Sequence, residues 1–228
     1  MYRKRVHMTD DQKTPAPKAA DSKELLLEAA KRVFAAKGYE GATVKDLADE
    51  AGVNVSLVSY HFGGKENLYR SCLEGFGLSR VETAKRILKA PTSAEEFKVR
   101  LRLFGEDFLE IHRKEPHTCK IVQTAIDVLN AVTMDVFKNV FFNLFGTLRN
   151  FVATAQSRGI VKADLDPEIT ATMMIGGLMH IIRSQDLVKA MGLKQLSDDA
   201  HAANVIDHWI EIFTTGMFEP PVKEVAND

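Results

Sequence analysis

The sequence predicts an all-α fold, and three observations carry that expectation. From Ser22 onward, apolar residues recur at helical spacing. Pro91, Pro116, Gly159, Pro167 and Gly192 cut the chain into helix-sized pieces. No stretch shows the sustained apolar–polar alternation, flanked by turn residues, that a half-buried strand requires.

At the N-terminus, residues 1–21 are polar and carry Pro15 and Pro17, the composition of a flexible N-terminal arm. Its Arg3, Lys4 and Arg5 either touch an anionic partner or stand in solvent. A first helix is expected from an N-cap at Ser22, with Leu26, Ala29, Ala30, Val33 and Phe34 inward and Gly38 as its stop. The second spans Val44 to Ala51. Thr43 caps it, and Asp46 three residues on closes an acidic variant of the capping box. Gly52-Val53-Asn54 is a tight turn in which glycine takes positive φ and Asn54 caps the next helix. That third helix runs from Val55 to His61 or Phe62, with Val58 and Phe62 on its buried side, and Gly63-Gly64 ends it. Further helices are expected at 66–89, 94–113, 118–130, 133–158, 167–190 and 199–217, before a C-terminal tail at 220–228.

Composition narrows the function. A 228-residue chain that is 45% hydrophobic can bury a core, and no apolar run reaches the roughly 18 residues that span a bilayer. The basic start lacks the apolar stretch that a signal peptide would carry next. Cys72 and Cys119 match no metal spacing and read as free thiols in a reducing cytoplasm, so a cytoplasmic protein without metal is expected. Residues 1–76 hold 12 Lys/Arg against 11 Asp/Glu, and residues 77–228 hold 18 against 20. Such balance excludes a protein that coats nucleic acid non-specifically, but not one with a local cluster of cations. Glu-x-x-His, the P-loop, G-x-S-x-G and His-Glu-x-x-His are all missing, and Asp198-x-x-His201 is only a near miss to the first. Neither an enzyme nor a cofactor is expected.

Two short helices joined by a glycine-containing turn, with a third packed behind them, form a helix-turn-helix unit. The longer run is more specific. Ala30, Phe34, Gly38 and Tyr39 are succeeded by Thr43, Leu47 and Ala48, then Ala51-Gly52-Val53, then Tyr60-His61-Phe62 with Lys65 and Leu68. In this order and spacing the segment resembles the DNA-binding domain of the tetracycline-repressor (TetR) family. The resemblance implies a helix-turn-helix DNA-binding domain over residues 22–68 and a helical ligand-binding and dimerisation domain over residues 69–219. It implies a cytoplasmic transcriptional regulator, a repressor by expectation, that binds a palindromic double-stranded DNA operator as a homodimer. Release would come with binding of a small, largely apolar or aromatic effector. Thr43 is then placed at a phosphate, Val55, Ser56, Leu57 and Ser59 toward base edges, and Tyr60, His61 and Lys65 at the sugar-phosphate backbone. Ser59 departs from the family pattern, which has two adjacent aromatics before His-Phe. The recognition helix carries no Arg, Lys, Gln or Asn after Asn54, so thymine methyls, hydroxyl contacts and DNA shape are left as its means of discrimination. The alternative is a helical interaction protein whose degenerate helix-turn-helix binds no specific DNA.

In the second half, an aromatic-rich helix around 136–152 is apolar over most of its circumference and belongs at the centre, as plain core or as a pocket wall. Candidate ligand contacts are Phe104, Phe108, His112, Phe141, Asn143, Phe145 and His180. The resemblance implies that the last two long helices pair with their copies, and Met173, Gly177, Ile181, Val205, Trp209, Ile212 and Phe213 are the candidate interface. The mid-helix pair Gly176-Gly177 points to a close helix approach.

Overall fold

A computed structural model of the chain describes residues 19–128 and 130–215. The arm's Arg3, Lys4 and Arg5, and the tail at 220–228, lie outside the described residues. The order is α1 (Ala19–Gly41), α2 (Val44–Ala51), α3 (Ser56–Phe62), α4 (Lys65–Ile87), α5 (Ala94–Lys114), α6 (Pro116–Asp127) and α7 (Ala131–Val136). A π-helical turn (Phe137–Phe141) then leads into α8 (Phe142–Ser157), and the chain continues through α9 (Pro167–Arg183), α10 (Gln185–Ala190) and α11 (Asp199–Thr214). The described residues contain no β-strand, and none of their helices is long and apolar enough to cross a membrane.

The local signals of the first three helices are realised. Thr43 Oγ1 accepts from Asp46 N at 3.1 Å while Asp46 Oδ2 accepts from Thr43 N at 2.9 Å, which closes the capping box. Gly52 adopts the left-handed conformation at the end of α2 (φ 65°, ψ 32°), where a side chain would be strained. Asn54 Oδ1 accepts from both Ser56 N (2.9 Å) and Ser56 Oγ (2.8 Å), so it caps α3 as expected. Helix α1 departs from expectation at its start: it is already helical at Ala19, and Ser22 lies inside it, buried, rather than at its cap.

Two apolar clusters hold the chain. The first joins Leu26, Phe34, Leu47, Val58 and Leu68 of the helix-turn-helix to Leu73, Ile121, Val122, Val136 and Val140. The expected boundary between residues 68 and 69 therefore falls within α4 and within one continuous cluster. The second joins Phe97, Leu101, Leu148, Phe151, Met174, Leu178, Ile206 and Trp209, from α5, α8, α9 and α11. The segment expected as one helix over 133–158 contains an interruption. Phe142 N–H reaches back five residues to Phe137 O, and the extra residue in that turn brings the Phe137 and Phe141 ring centroids within 4.7 Å, tilted by 32°. The segment expected over 167–190 divides at Ser184 into α9 and α10.

Candidate nucleic-acid interface and adjoining cavity

The helix-turn-helix presents α3 on a fixed support. Val58 and Phe62 are sealed into the first cluster, which leaves the opposite side of a seven-residue helix free. Val55, Ser56 and Ser59 are exposed, and Tyr60 is 74% exposed. Leu57 is half-buried and packs partly against the cluster, so it offers less of itself than its neighbours. Thr43 is exposed, but its side chain is engaged in the capping box. The Lys37 ammonium beside Asp46, with the Thr43 contacts, lowers that carboxyl to about 2, so the cap stays formed far into acid.

Two of the sequence-selected contacts have intramolecular duties. His61 Nε2 lies 2.8 Å from Ser22 Oγ, tying the end of α3 to the start of α1. Lys65 Nζ donates to Tyr39 O (2.9 Å) and Ala42 O (3.1 Å) and sits 4.3 Å from the Tyr39 ring centroid. It thus fixes the α1–α2 connection through carbonyls left open where Gly38 breaks the helix (φ 71°). Lys23, which sequence reasoning passed over, has its ammonium 5.8 Å from the Phe62 ring and is exposed beside the end of α3. No local signal marks it, because the two residues are 39 positions apart.

A cavity of about 200 Å³ lies among α4, α5, α6, the π turn, α8 and α9. Phe104, Phe108, His112, Phe141 and Phe145 all line it. Asn143 and His180 do not: both are turned away from it, and Asn143 Nδ2 donates back to Asn139 O at 2.8 Å. These two expectations are corrected. The π turn and the helical phase of α9 turn them outward. Arg80, Asp107 and Gln123, which sequence reasoning missed, supply most of the polarity of the wall. Arg80 Nη1 pairs with Asp107 Oδ2 at 2.9 Å across α4 and α5. His112 Nδ1 is 2.7 Å from Phe108 O and must carry the proton there, since a carbonyl can only accept. Burial pushes its pKa below the usual histidine range, so the ring is neutral and its Nε2 is an acceptor.

Residues 26–72 match the family model described as bacterial regulatory proteins, tetR family. Over 52 residues the chain is 46% identical to the HTH-type transcriptional repressor AcnR of Corynebacterium glutamicum, a match covering 23% of this chain and 28% of AcnR. Over 208 residues it is 24% identical to the HTH-type transcriptional regulator TtgR of Pseudomonas putida, covering 85% of this chain and 90% of TtgR. Residues 26–72 thus match a tetR-type helix-turn-helix domain. Solved structures agree on the fold over most of the chain. FadR of Bacillus subtilis, in complex with stearoyl-CoA, superposes with a TM-score of 0.70 at 18% identity, covering 85% of this chain and 98% of FadR. The SmeT–triclosan complex gives 0.67 at 17% identity, covering 88% and 93%.

Outside the tetR-type domain, the candidate interface residues divide. Met173 (59% exposed) and Ile212 (71%) stand on the outer faces of α9 and α11, as does Ile169. Ile181, Val205 and Phe213 are half-buried against the second cluster. Trp209 is corrected: it is core, with Nε1 donating to Met174 O at 3.2 Å. Gly177 faces Trp209 of its own chain, and a Cβ there would meet the indole nitrogen at an ordinary van der Waals distance of 3.5 Å, whereas Gly176 faces open space.

Proposed function

We propose that this tetR-family chain is a DNA-binding transcriptional repressor that acts as a cytoplasmic homodimer on a palindromic operator and is released by a small ligand in the α4–α9 cavity. The observation that carries the reading is α3: a short helix capped at one end and buried along one side, with Val55, Ser56, Ser59 and Tyr60 turned to solvent. A helix held this way fits a major groove, with hydroxyls and a valine methyl offered to base edges and Tyr60 to the backbone. Lys23 adds a phosphate contact beside it. One such helix reads too few base pairs to be specific, and the exposed apolar side chains Ile169, Met173 and Ile212 supply a face for a second copy. The named relatives, a repressor and a regulator, support the assignment to transcription.

The ligand part of the reading rests on α4. One unbroken helix begins at the end of the helix-turn-helix with Lys65 and reaches the cavity at Phe76, Arg80 and Ala84. A ligand that favours one position of α4 changes the fraction of dimers whose recognition helices match the operator. The effect is limited by the ligand's differential affinity for the two arrangements.

The test is a fluorescence-anisotropy titration with DNA selected by the protein from random duplexes, at two salt concentrations, with Tyr60→Ala and Ser56→Ala alongside. Saturable binding to a palindrome, steep in salt and weakened in both variants, is expected. Equal affinity for selected and random DNA would reject the reading, and a helical interaction module would take its place.

A further inference from the structure

At the entry to α3 stands a serine whose hydroxyl proton is already spent. Asn54 Oδ1 lies 2.9 Å from Ser56 N and 2.8 Å from Ser56 Oγ. A backbone N–H only donates, so the Asn54 atom that it meets is the carbonyl oxygen and not the amide nitrogen. That contact fixes the orientation of the amide, which its shape alone does not reveal. The same oxygen only accepts, so Ser56 Oγ must donate to it. Ser56 is therefore left with lone pairs alone to offer a partner, while Asn54 Nδ2 offers only protons. Both residues are exposed, at the first turn of the helix whose opposite side is sealed by Val58 and Phe62.

Resting on the DNA-binding reading above, we propose that Asn54 and Ser56 determine specificity by reading one adenine in each half-site: Ser56 Oγ accepts from adenine N6–H, and Asn54 Nδ2 donates to adenine N7. A serine hydroxyl that rotates freely donates or accepts, and so bonds to any base edge. The bond to Asn54 removes that tolerance. In the major groove guanine shows two acceptors, N7 and O6, and thymine shows O4 and a methyl group. Either would meet the Ser56 lone pairs with lone pairs, unless Ser56 let go of Asn54 and forfeited that hydrogen bond. Cytosine offers a donor at N4 but no acceptor beside it for Asn54. Adenine, with acceptor N7 next to donor N6, is the base whose edge complements the pair. The cap and the reader are thus one device: the side chain that starts α3 also dictates where its first hydroxyl sends its proton.

The test is a selection from random duplexes by the full chain, followed by anisotropy titrations of the selected site carrying altered bases. The parent is expected to select adenine at one position per half-site, and Ser56→Ala to lose the preference there while keeping it elsewhere. Ser56→Ala retains the backbone N–H that Asn54 caps, so α3 still forms. In the parent, replacing that adenine by 2-aminopurine, which has no amino group in the major groove, should weaken binding about tenfold, the scale of one good base-edge contact. The same replacement should cost Ser56→Ala nothing, because the two changes remove the two ends of one bond. 7-Deazaadenine, which lacks N7, should weaken the parent as well. Guanine, thymine or cytosine at the position that Ser56→Ala releases, full affinity of the parent for either analogue, or an equal loss on 2-aminopurine in parent and variant would overturn the assignment. The titrations of the parent need no variant to fold. A selection that enriches no sequence rejects the DNA-binding reading itself, and this assignment with it. A palindrome with the same base preferences for the parent and Ser56→Ala removes this assignment alone.

Discussion

Two glycines in α4, Gly75 and Gly77, give a controlled comparison of packing in this fold. A Cβ built on Gly75 meets nothing within 4 Å. One on Gly77 would lie 2.5 Å from Val140 Cγ1 and 3.2 Å and 3.3 Å from Phe141 Cζ and Cε2. Both substitutions to alanine gain the same intrinsic helix preference, about 0.8–1.0 kcal/mol in a helix interior. Their difference therefore isolates the overlap at Gly77. Val140 is β-branched and buried, so it cannot rotate away cheaply, and the contact must be relieved by moving α4 from the π turn. Overpacking of this kind costs about 1–3 kcal/mol. Gly75→Ala should thus stabilise by about 1 kcal/mol, and Gly77→Ala should fall below it by about 1–3 kcal/mol. For a chain of this length that is a gap of about 2–4 °C in melting temperature per kcal/mol. The assay is thermal unfolding at one fixed protein concentration, because the proposed dimerisation would make the midpoint concentration-dependent. If Gly77→Ala melts at or above Gly75→Ala, the close approach of α4 to the π turn is not a determinant of stability and the argument fails.

The same geometry sets other outcomes. Lys65→Met should lower stability, because two carbonyls and the Tyr39 ring lose their partner, yet it should leave the slope of log affinity against log salt unchanged. A slope reduced by about one would instead identify Lys65 as a phosphate contact. Burial pushes the thiols of Cys72 and Cys119 up to about 12, so both should resist iodoacetamide at pH 8 in the folded chain and react promptly in urea. An acid whose folded pKa lies above its ordinary 9.0 adds stability that is complete below that value and is lost as the pH rises toward 12. Alkaline urea titrations of the parent and of Cys72→Ala should show a shallower loss in the variant, and identical curves would contradict the burial of that thiol.

The parts of the fold that the sequence disclosed are those decided within a few residues. The capping box at Thr43–Asp46, the left-handed Gly52, the Asn54 cap and the Gly63-Gly64 break are each set by neighbours a few positions away. The aromatic wall was legible for a different reason, since a helix apolar around its circumference has to be central. The features that stayed hidden depend on distant partners. Ser22 looks like a cap by type, but the helix is already running at Ala19 and its hydroxyl meets His61 instead. Lys65 matches a family motif for contact with DNA, while its acceptors are carbonyls 23 and 26 residues earlier. Trp209 has the spacing of an outer stripe, yet the indole turns inward and donates to Met174 O. Arg80 and Asp107 are 27 positions apart and carry no motif.

The same dependence on distant packing explains how the cavity and the helix-turn-helix belong to one mechanical unit. Phe137, Phe141 and Leu144 line the cavity and also pack against the first cluster, which contains Leu47 and Val58 of the helix-turn-helix. Arg80 lies 15 residues along α4 from Lys65, about 22 Å at 1.5 Å per residue, and Lys65 is bonded to the carbonyls that hold α1 against α2. A molecule that occupies the space between Arg80 and the Phe137 and Phe141 rings therefore presses on both walls of the junction at Gly77, where α4 and the π turn are already closer than a methyl group allows. Such a contact cannot deform gradually, because close-packed surfaces move by discrete rearrangement rather than by compression. The π turn, with one residue more than an α-helix needs, is the element there with a second regular arrangement available to it.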